Sequence, residues 1–328
     1  MYINKLIARA GFLLALILFI VFPPVISAGG VREADTAQDV RADPISDGPA
    51  SGASNYRQRL GKTIVKEEDF FSHELDTYVR YMPSRGAAAQ AGRISIVDSA
   101  TEYSYTVKVL GGLPVEFGLG AKYIGIANTT SVKLPPHLTR VSFGVETTVP
   151  FLTVKDTYFT VGLAPMFSTD NWGVRSSALS LTQRYFLIRQ ASDSLTLIAG
   201  VFISPHENDP IMPILGFIYK PNDKLTFNII PKQPEISYKL NDKLTLFSQA
   251  DITMDEYRVD KEGLKNIALE YNEIHAGAGL RYKANENIQG NIVVGGVFNR
   301  SIKYRRDDYG KITVKNGVYT ELRIDIKM

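Results

Sequence analysis

Between Val318 and Met328 the chain alternates: Leu322, Ile324, Ile326 and Met328 are apolar, while Glu321, Arg323, Asp325 and Lys327 are charged. A period of two puts the first set on one face of an extended strand and the second on the other. Two folds accept such a strand. In a soluble sandwich the apolar row enters a core and the charges meet water. In a membrane barrel the apolar row meets lipid and the charges meet a lumen. What the apolar row touches decides the fold class.

The N-terminus bears on that choice. Lys5 and Arg9 precede an apolar run from Gly11 to Phe22, followed by Pro23-Pro24 and small residues up to Ala28. A positive segment, a short apolar segment and a small-residue cleavage site make residues 1–28 an expected secretory signal peptide, cleaved on export across the inner membrane. Its loss takes the formal net charge from +3 to +1, which gives no reason to expect a nucleic-acid partner. There is no cysteine, so thiol chemistry, disulfides and an acylated-cysteine anchor are excluded. Residues 29–75 are an expected disordered or irregular leader, rich at first in Ala, Asp, Gly, Ser and Pro and too poor in apolar groups to offset its ordering entropy. Residues 76–328 then form the folded domain.

That domain reads as strand after strand. Tyr103, Tyr105, Val107 and Val109 alternate with Glu102, Ser104, Thr106 and Lys108. After Gly111-Gly112, Phe117, Leu119, Ala121 and Tyr123 alternate with Glu116, Gly118, Gly120 and Lys122. The pattern continues through Val141–Val149, Leu179–Leu187, Leu244–Ile252 and Ile274–Tyr282. Short turns are expected at Gly111-Gly112, Lys155-Asp156, Ser192-Asp193, Asn222-Asp223, Asn241-Asp242 and Asn285-Glu286-Asn287. Between them come longer loops, at 127–137, 168–176, 204–212, 253–269 and 300–316. Alternating short and long connections predict an antiparallel up-and-down transmembrane β-barrel with both termini on the short-turn side, as in the bacterial outer membrane. The count gives about 12 to 14 strands, one of them between Thr77 and Val97. Mean hydropathy close to zero is far too polar for a helical membrane protein and ordinary for a barrel. Aromatic residues near strand ends, such as Tyr123, Phe151, Tyr219 and Tyr282, fit interfacial girdles.

An internal echo sharpens one region. Lys220-Pro221-Asn222-Asp223-Lys224-Leu225-Thr226-Phe227 recurs as Lys239-Leu240-Asn241-Asp242-Lys243-Leu244-Thr245-Leu246. Asn-Asp suits a tight turn, so Pro231-Lys232-Gln233-Pro234 between the copies holds the opposite turn. The strands on either side are shorter than the roughly 9 to 11 residues of a spanning strand. That hairpin either sits low in the wall or has another register.

The signal peptide, the Asn-Asp-Lys joints, the segment Ile230-Pro231-Lys232-Gln233-Pro234-Glu235-Ile236-Ser237-Tyr238 and the alternating last strand resemble an uncharacterised family of bacterial outer-membrane β-barrel proteins, a domain of unknown function, over residues 70–328. The last strand also resembles the signal read by the barrel-assembly machinery, except that Met328 stands where that signal carries an aromatic residue. The resemblance implies a Gram-negative outer-membrane location, with membrane lipid and the assembly machinery as partners. It brings no activity and no catalytic residues.

Catalytic patterns are missing: there is no G-x-S-x-G, H-E-x-x-H or P-loop. No enzyme activity, cofactor or metal is expected. His206-Glu207-Asn208-Asp209 and Asp307-Asp308 read as solvated loops. With the apolar rows in lipid, the expected lumen-lining residues are Glu102, Lys108, Glu116, Lys122, Arg140, Glu146, Arg184, Lys239, Asp251, His275, Arg281, Glu321, Arg323 and Asp325. Both signs interleave, which suits cross-strand bracing of a narrow lumen better than a ring of one sign chosen for ion selection. The expected function is a passive channel for small polar solutes or a closed scaffold. The alternatives are a surface-interaction barrel acting through its outer loops and a lipid-modifying membrane enzyme.

Overall fold

Strand alternation translates into a closed ring. The computed structural model describes residues 71–328 except 90, 110–111, 152–153, 172–175, 205–209, 232, 262–263 and 306–309. The expected signal peptide, the leader up to residue 70, Trp172, His206-Glu207-Asn208-Asp209 and Asp307-Asp308 lie outside the described residues. The strands are β1 (Phe71–Gly86), β2 (Arg93–Val109), β3 (Leu113–Asn128), β4 (His137–Pro150), β5 (Thr157–Thr169), β6 (Leu179–Ser192), β7 (Leu195–Ile203), β8 (Ile211–Tyr219), β9 (Leu225–Ile229), β10 (Glu235–Lys239), β11 (Leu244–Lys261), β12 (Leu264–Lys283), β13 (Ile288–Tyr304), β14 (Lys311–Thr313) and β15 (Gly317–Lys327). Among the described residues the helical structure is a 3-10 turn, Ser176–Ala178.

Each strand from β1 to β13 pairs antiparallel with its chain neighbour, β14 is a short arm on β13, and β15 pairs with both β13 and β1. The result is a closed antiparallel barrel of fourteen strands, the upper of the two expected numbers. The seam joins the first and last strands in the register Asp76↔Asp325, Tyr78↔Arg323 and Arg80↔Glu321. Closure removes the free sheet edges that an open sheet would expose.

The turn end carries the short connections. Asn222 Oδ1 accepts from the backbone N–H groups of Lys224 and Leu225, and Asn285 Oδ1 accepts from those of Asn287 and Ile288. Asn241 Oδ1 accepts from Lys243 N–H. These side-chain-capped turns are why Asn recurs at the joints. At the opposite, loop end the structure departs from expectation in two places. Thr77–Val97 holds not one strand but the β1–β2 hairpin, and β1 takes in residues 71–75 as well. The expected loop at 253–269 is instead the upper part of the β11–β12 hairpin, whose strands are 18 and 20 residues long. Its charges suggest a loop, but Tyr257, Val259, Ile267 and Leu269 alternate with them and are buried.

The outer face is apolar. Leu119, Phe143, Leu163, Leu181, Leu215, Leu246, Leu280, Ile292, Val294, Leu322 and Ile324 are all exposed on it, as a wall that meets lipid requires. The inner face changes character with height. Ile94 and Ile96 lie in phase with Asp98, Ile124 and Ile126 with Lys122, and Met82 with Arg80, so the inward rows turn apolar toward the loop end and pack there as one cluster. A second interior cluster, Phe186, Ile188, Ile198, Ile214, Ile218 and Ile230, coats the inside of β6–β8. Gly200 makes room for it, because a Cβ there would collide with the Phe186 ring.

The wall is not of even height. β7 and β8 have 9 residues each, and β9 and β10 only 5. Pairing of β8 with β9 is confined to Phe217–Tyr219, and pairing of β10 with β11 ends at Glu235↔Gln249. The Pro-flanked turn after β9 therefore sits low and tucks inward, where Ile230 and Gln233 are buried. Above it, β11 leaves its β10 neighbour and reaches β5, where Arg258 and Thr169 form a parallel bridge and Asp170 Oδ2 accepts from Asp260 N–H at 3.1 Å.

Candidate functional site

The residues of greatest chemical interest lie inside the ring. Arg80 on β1 is 0% exposed. Its Nε donates to Glu321 Oε2 of β15 at 2.7 Å, its Nη2 donates to Asp251 Oδ2 of β11 at 3.3 Å, and its Nη1 lies 3.7 Å from Asp98 Oδ2 of β2. Nη1 is also 3.1 Å from His275 Nδ1 of β12. One guanidinium thus ties two neighbouring strands to two strands on the far wall, using the planar, multiple-donor geometry that lysine lacks.

A second tie lies toward the loop end. Asp255 of β11 accepts from Lys122 Nζ of β3 at 3.0 Å and from Arg140 Nη1 of β4 at 2.8 Å. Lys122 also approaches Asp98 at 3.8 Å, which joins the two ties into one network. Glu273 pairs with Arg300 at 2.9 Å and lies 3.3 Å from His275 Nε2. Rings separate the cations: Arg80 lies 5.3 Å from the Tyr319 ring centroid, Arg323 4.9 Å from that of Tyr78, and Arg140 5.2 Å from that of Tyr257. Each such contact adds about 0.5 to 2 kcal/mol and keeps like charges apart.

Of the expected inner residues, Lys122, Arg140, Asp251, His275, Glu321 and Arg323 are brought together in this network. Asp325 is buried close by and accepts from Gln289 and Asn291. Arg281 is buried beside Asn291, to which its Nε donates at 3.2 Å, paired with Glu235 at 3.0 Å and set 4.7 Å from the Phe247 ring centroid. Glu146 and Arg184 form a separate pair at 3.6 Å. Lys239 pairs at the turn end with the exposed Asp242. Glu102, Lys108 and Glu116 are half-buried. Of the other histidines, His73 lies in β1 against Tyr105, with ring centroids 4.8 Å apart, and His137 opens β4 and stacks on Tyr123.

Arg80, Asp98, Asp255, Glu273 and Arg300 belong to the network without having been expected there. Arg80 sits in the stretch read as a single strand, Asp98 just beyond its end, and Asp255 in the stretch read as a loop. The alternation of Asp255, Tyr257 and Val259 against Glu256, Arg258 and Asp260 was the available signal. Two small cavities, each with room for about one water, adjoin the network. The turn-end one is lined by Glu74, Asp76, Glu102, Ser104, Asp325 and Lys327, with Leu75 and Ile326. The loop-end one is lined by Arg140, Met166, Ser168, Ser180, Ser204, Glu256 and Arg258, with Ala178.

Comparison with known structures gives distant likenesses. An outer-membrane channel from Pseudomonas putida F1 has a TM-score of 0.42 and 8% identity, with 80% of this chain and 100% of that chain covered. A Pseudomonas aeruginosa FadL homologue has a TM-score of 0.44 and 9% identity, with 79% and 90% covered. The translocator domain of the autotransporter NalP from Neisseria meningitidis has a TM-score of 0.37 and 9% identity, with 83% and 93% covered. No curated protein matches the sequence. Residues 116–317, more than half of the chain, match the family described as Domain of unknown function (DUF6268), and the chain belongs to that family.

Proposed function

We propose that the protein is a passive outer-membrane channel for small polar solutes, held narrow by the charged residues that line its interior. The observation that carries this reading is a closed fourteen-strand wall whose inner face is charged and holds two water-sized cavities among its polar side chains. Charged and hydroxyl side chains line both cavities, so these spaces suit water better than the packed apolar clusters beside them do. The apolar outer belt supports a bilayer location, and the alternating apolar positions of β15 support insertion by the barrel-assembly machinery.

A second reading, a closed scaffold, draws on a different observation: Arg80 and Asp255 pair from wall to wall and fill the middle of the lumen. Planar-bilayer recording on the refolded protein decides between them. Steady single-channel steps, larger with small ions than with large ones, support the channel. A bilayer that stays silent across many insertions sinks it and favours the scaffold. A heat-dependent shift in gel migration confirms beforehand that the barrel has folded.

A further inference from the structure

On one side of the barrel, cations gather at the loop end from stretches that hold no acid. Residues 77–97, 117–145 and 309–320 contain no Asp or Glu. The loop ends of β1, β2 and β3 and all of β14 lie in these stretches and adjoin one another. Ala87, Ile94 and Val314 turn inward into the apolar cluster, so alternation turns their neighbours Gly86, Arg93 and Lys315 outward. Gly86 pairs with Arg93 on one side, and on the other its carbonyl oxygen accepts from Lys315 N–H at 3.0 Å. The row across three adjacent segments therefore reads cation, glycine, cation. A Cβ on Gly86 would meet only Lys315 Cδ, at 3.9 Å, so the place over the glycine is open and the lysine stem already leans across it. Arg93 and Lys315 are both exposed. Arg93 donates to the Ser84 carbonyl oxygen at 3.3 Å, and neither cation meets a carboxylate among the described residues. Arg85 adds a third positive charge beside Gly86, and its buried Nε makes no hydrogen bond among the described residues. The turn end differs, since Lys239 there is met by Asp242 at 3.0 Å.

The height of this row follows from the residues below it. Arg80, Lys122 and Leu138 are buried inside, so Tyr81, Tyr123 and His137 face outward, the last two stacked with ring centroids 5.8 Å apart. Such rings mark the membrane interface. Tyr81 pairs with Val97, and Arg93 lies four residues further toward the loop end. That is about 13 Å along a strand, or about 10 Å of height at the tilt of a barrel wall. The row thus stands level with lipid phosphates and above the acyl chains. The geometry points to a docking site for a phosphorylated lipid headgroup of the outer leaflet, its phosphate seated over Gly86 between the Arg93 guanidinium and the Lys315 ammonium. A lipid fits better than a soluble anion because the wall below the seat is apolar: Val79 and Leu322 pair across the seam and are exposed there to receive the chains. Guanidinium and ammonium groups are the side chains that bind phosphate, and basic patches beside a bilayer recruit anionic headgroups. The site lies outside the wall, so it stands or falls separately from conduction through the lumen.

The test is lipid retention by the refolded full-length barrel in detergent, read by native mass spectrometry after mixing with dioleoyl phosphatidic acid or dioleoyl phosphatidylcholine. The wild type is expected to hold phosphatidic acid several-fold better than phosphatidylcholine, whose choline masks its phosphate charge, and to lose that preference as salt is raised. Arg93→Gln combined with Lys315→Gln is expected to abolish the preference. Gly86→Val keeps every charge but fills the seat, and is expected to weaken retention several-fold. Lys155→Gln, at an exposed turn-end position, is expected to change nothing. A heat-dependent gel shift shows that each variant has folded, and Lys315→Gln alone carries the test if the double variant does not. Equal retention by the wild type and the row variants overturns the site, as does an equal loss in Lys155→Gln. An excess of inorganic phosphate is expected to leave the lipid bound; complete displacement by it overturns the lipid assignment, because the chains would then contribute nothing.

Discussion

The Arg80 guanidinium and the Glu321 carboxylate meet at 2.7 Å across the junction of the first and last strands, with neither side chain reached by solvent. Chain ends that are far apart in sequence are thus joined by a buried ion pair as well as by backbone hydrogen bonds. Removing one member of such a pair leaves the other charged and poorly solvated, which costs about 3 to 5 kcal/mol. Glu321→Gln is expected to lower the unfolding free energy of the refolded barrel by that amount, read as a lower denaturant midpoint, and to lower the temperature at which its compact gel band disappears. An unchanged midpoint would show that Asp98 and Asp251 suffice to hold Arg80.

Asp255 reaches over the lumen to Lys122 and Arg140. Asp255→Asn leaves two neighbouring cations without their shared counter-charge, so they repel, and β11 loses one of its ties to the opposite wall. The expected outcome is a stability loss of about 3 kcal/mol together with a larger and noisier single-channel current. Equal conductance in the variant and the wild type would place the constriction elsewhere.

Gly295 lies in register with Tyr319, and a Cβ added to it would come within 2.6 Å of the tyrosine ring and of the Gly277 backbone. The ring covers a glycine pair, an arrangement that shields sheet glycines from solvent. Gly295→Val is expected to destabilise by about 1 to 3 kcal/mol through overpacking. Combining it with Tyr319→Leu should cost less than the sum of the two single changes, since both act on one contact. Additive losses in a double-mutant cycle would contradict this.

Ile230 anchors the low β9–β10 turn in the interior cluster of Phe186, Ile188, Ile198, Ile214 and Ile218. Ile230→Ala is expected to cost about 2 to 5 kcal/mol and to speed proteolytic cleavage near Pro231 more than cleavage at the Asn222 turn. Equal cleavage rates at both turns would show that the tucked position does not depend on this side chain.

The alternation of Leu322 and Ile324 with Glu321 and Arg323 was enough to place one set outside and the other inside, because period-2 pattern and strand pairing express the same geometry. The short Asn-Asp joints and the low hairpin around Pro231 were legible for the same local reason. Other features depend on partners that no local window contains. In Ile94-Ser95-Ile96-Val97 the fully apolar phase is Ile94 and Ile96, which by pattern alone would face lipid, so nothing local shows that they turn inward under the loop end. A register shift between Met82 and Arg85 interrupts the alternation after Arg80, which hid the β1–β2 hairpin and with it the centre of the network. Asp255 lies among charges dense enough to resemble a solvent loop, and only the walls that face it explain why it is buried.

The bridge between Thr169 and Arg258 has a kinetic meaning. The residues it joins lie far apart around the circumference, so it can form only after both have been brought into the ring, late in assembly. Contacts made last guard against unfolding without hastening folding. The short strands β7–β10 beneath that bridge, with the fewest ladder bonds of the wall, form the unit expected to open first. The bridge acts on the barrel as a drawstring does on a purse: it tightens the rim once the cloth is sewn.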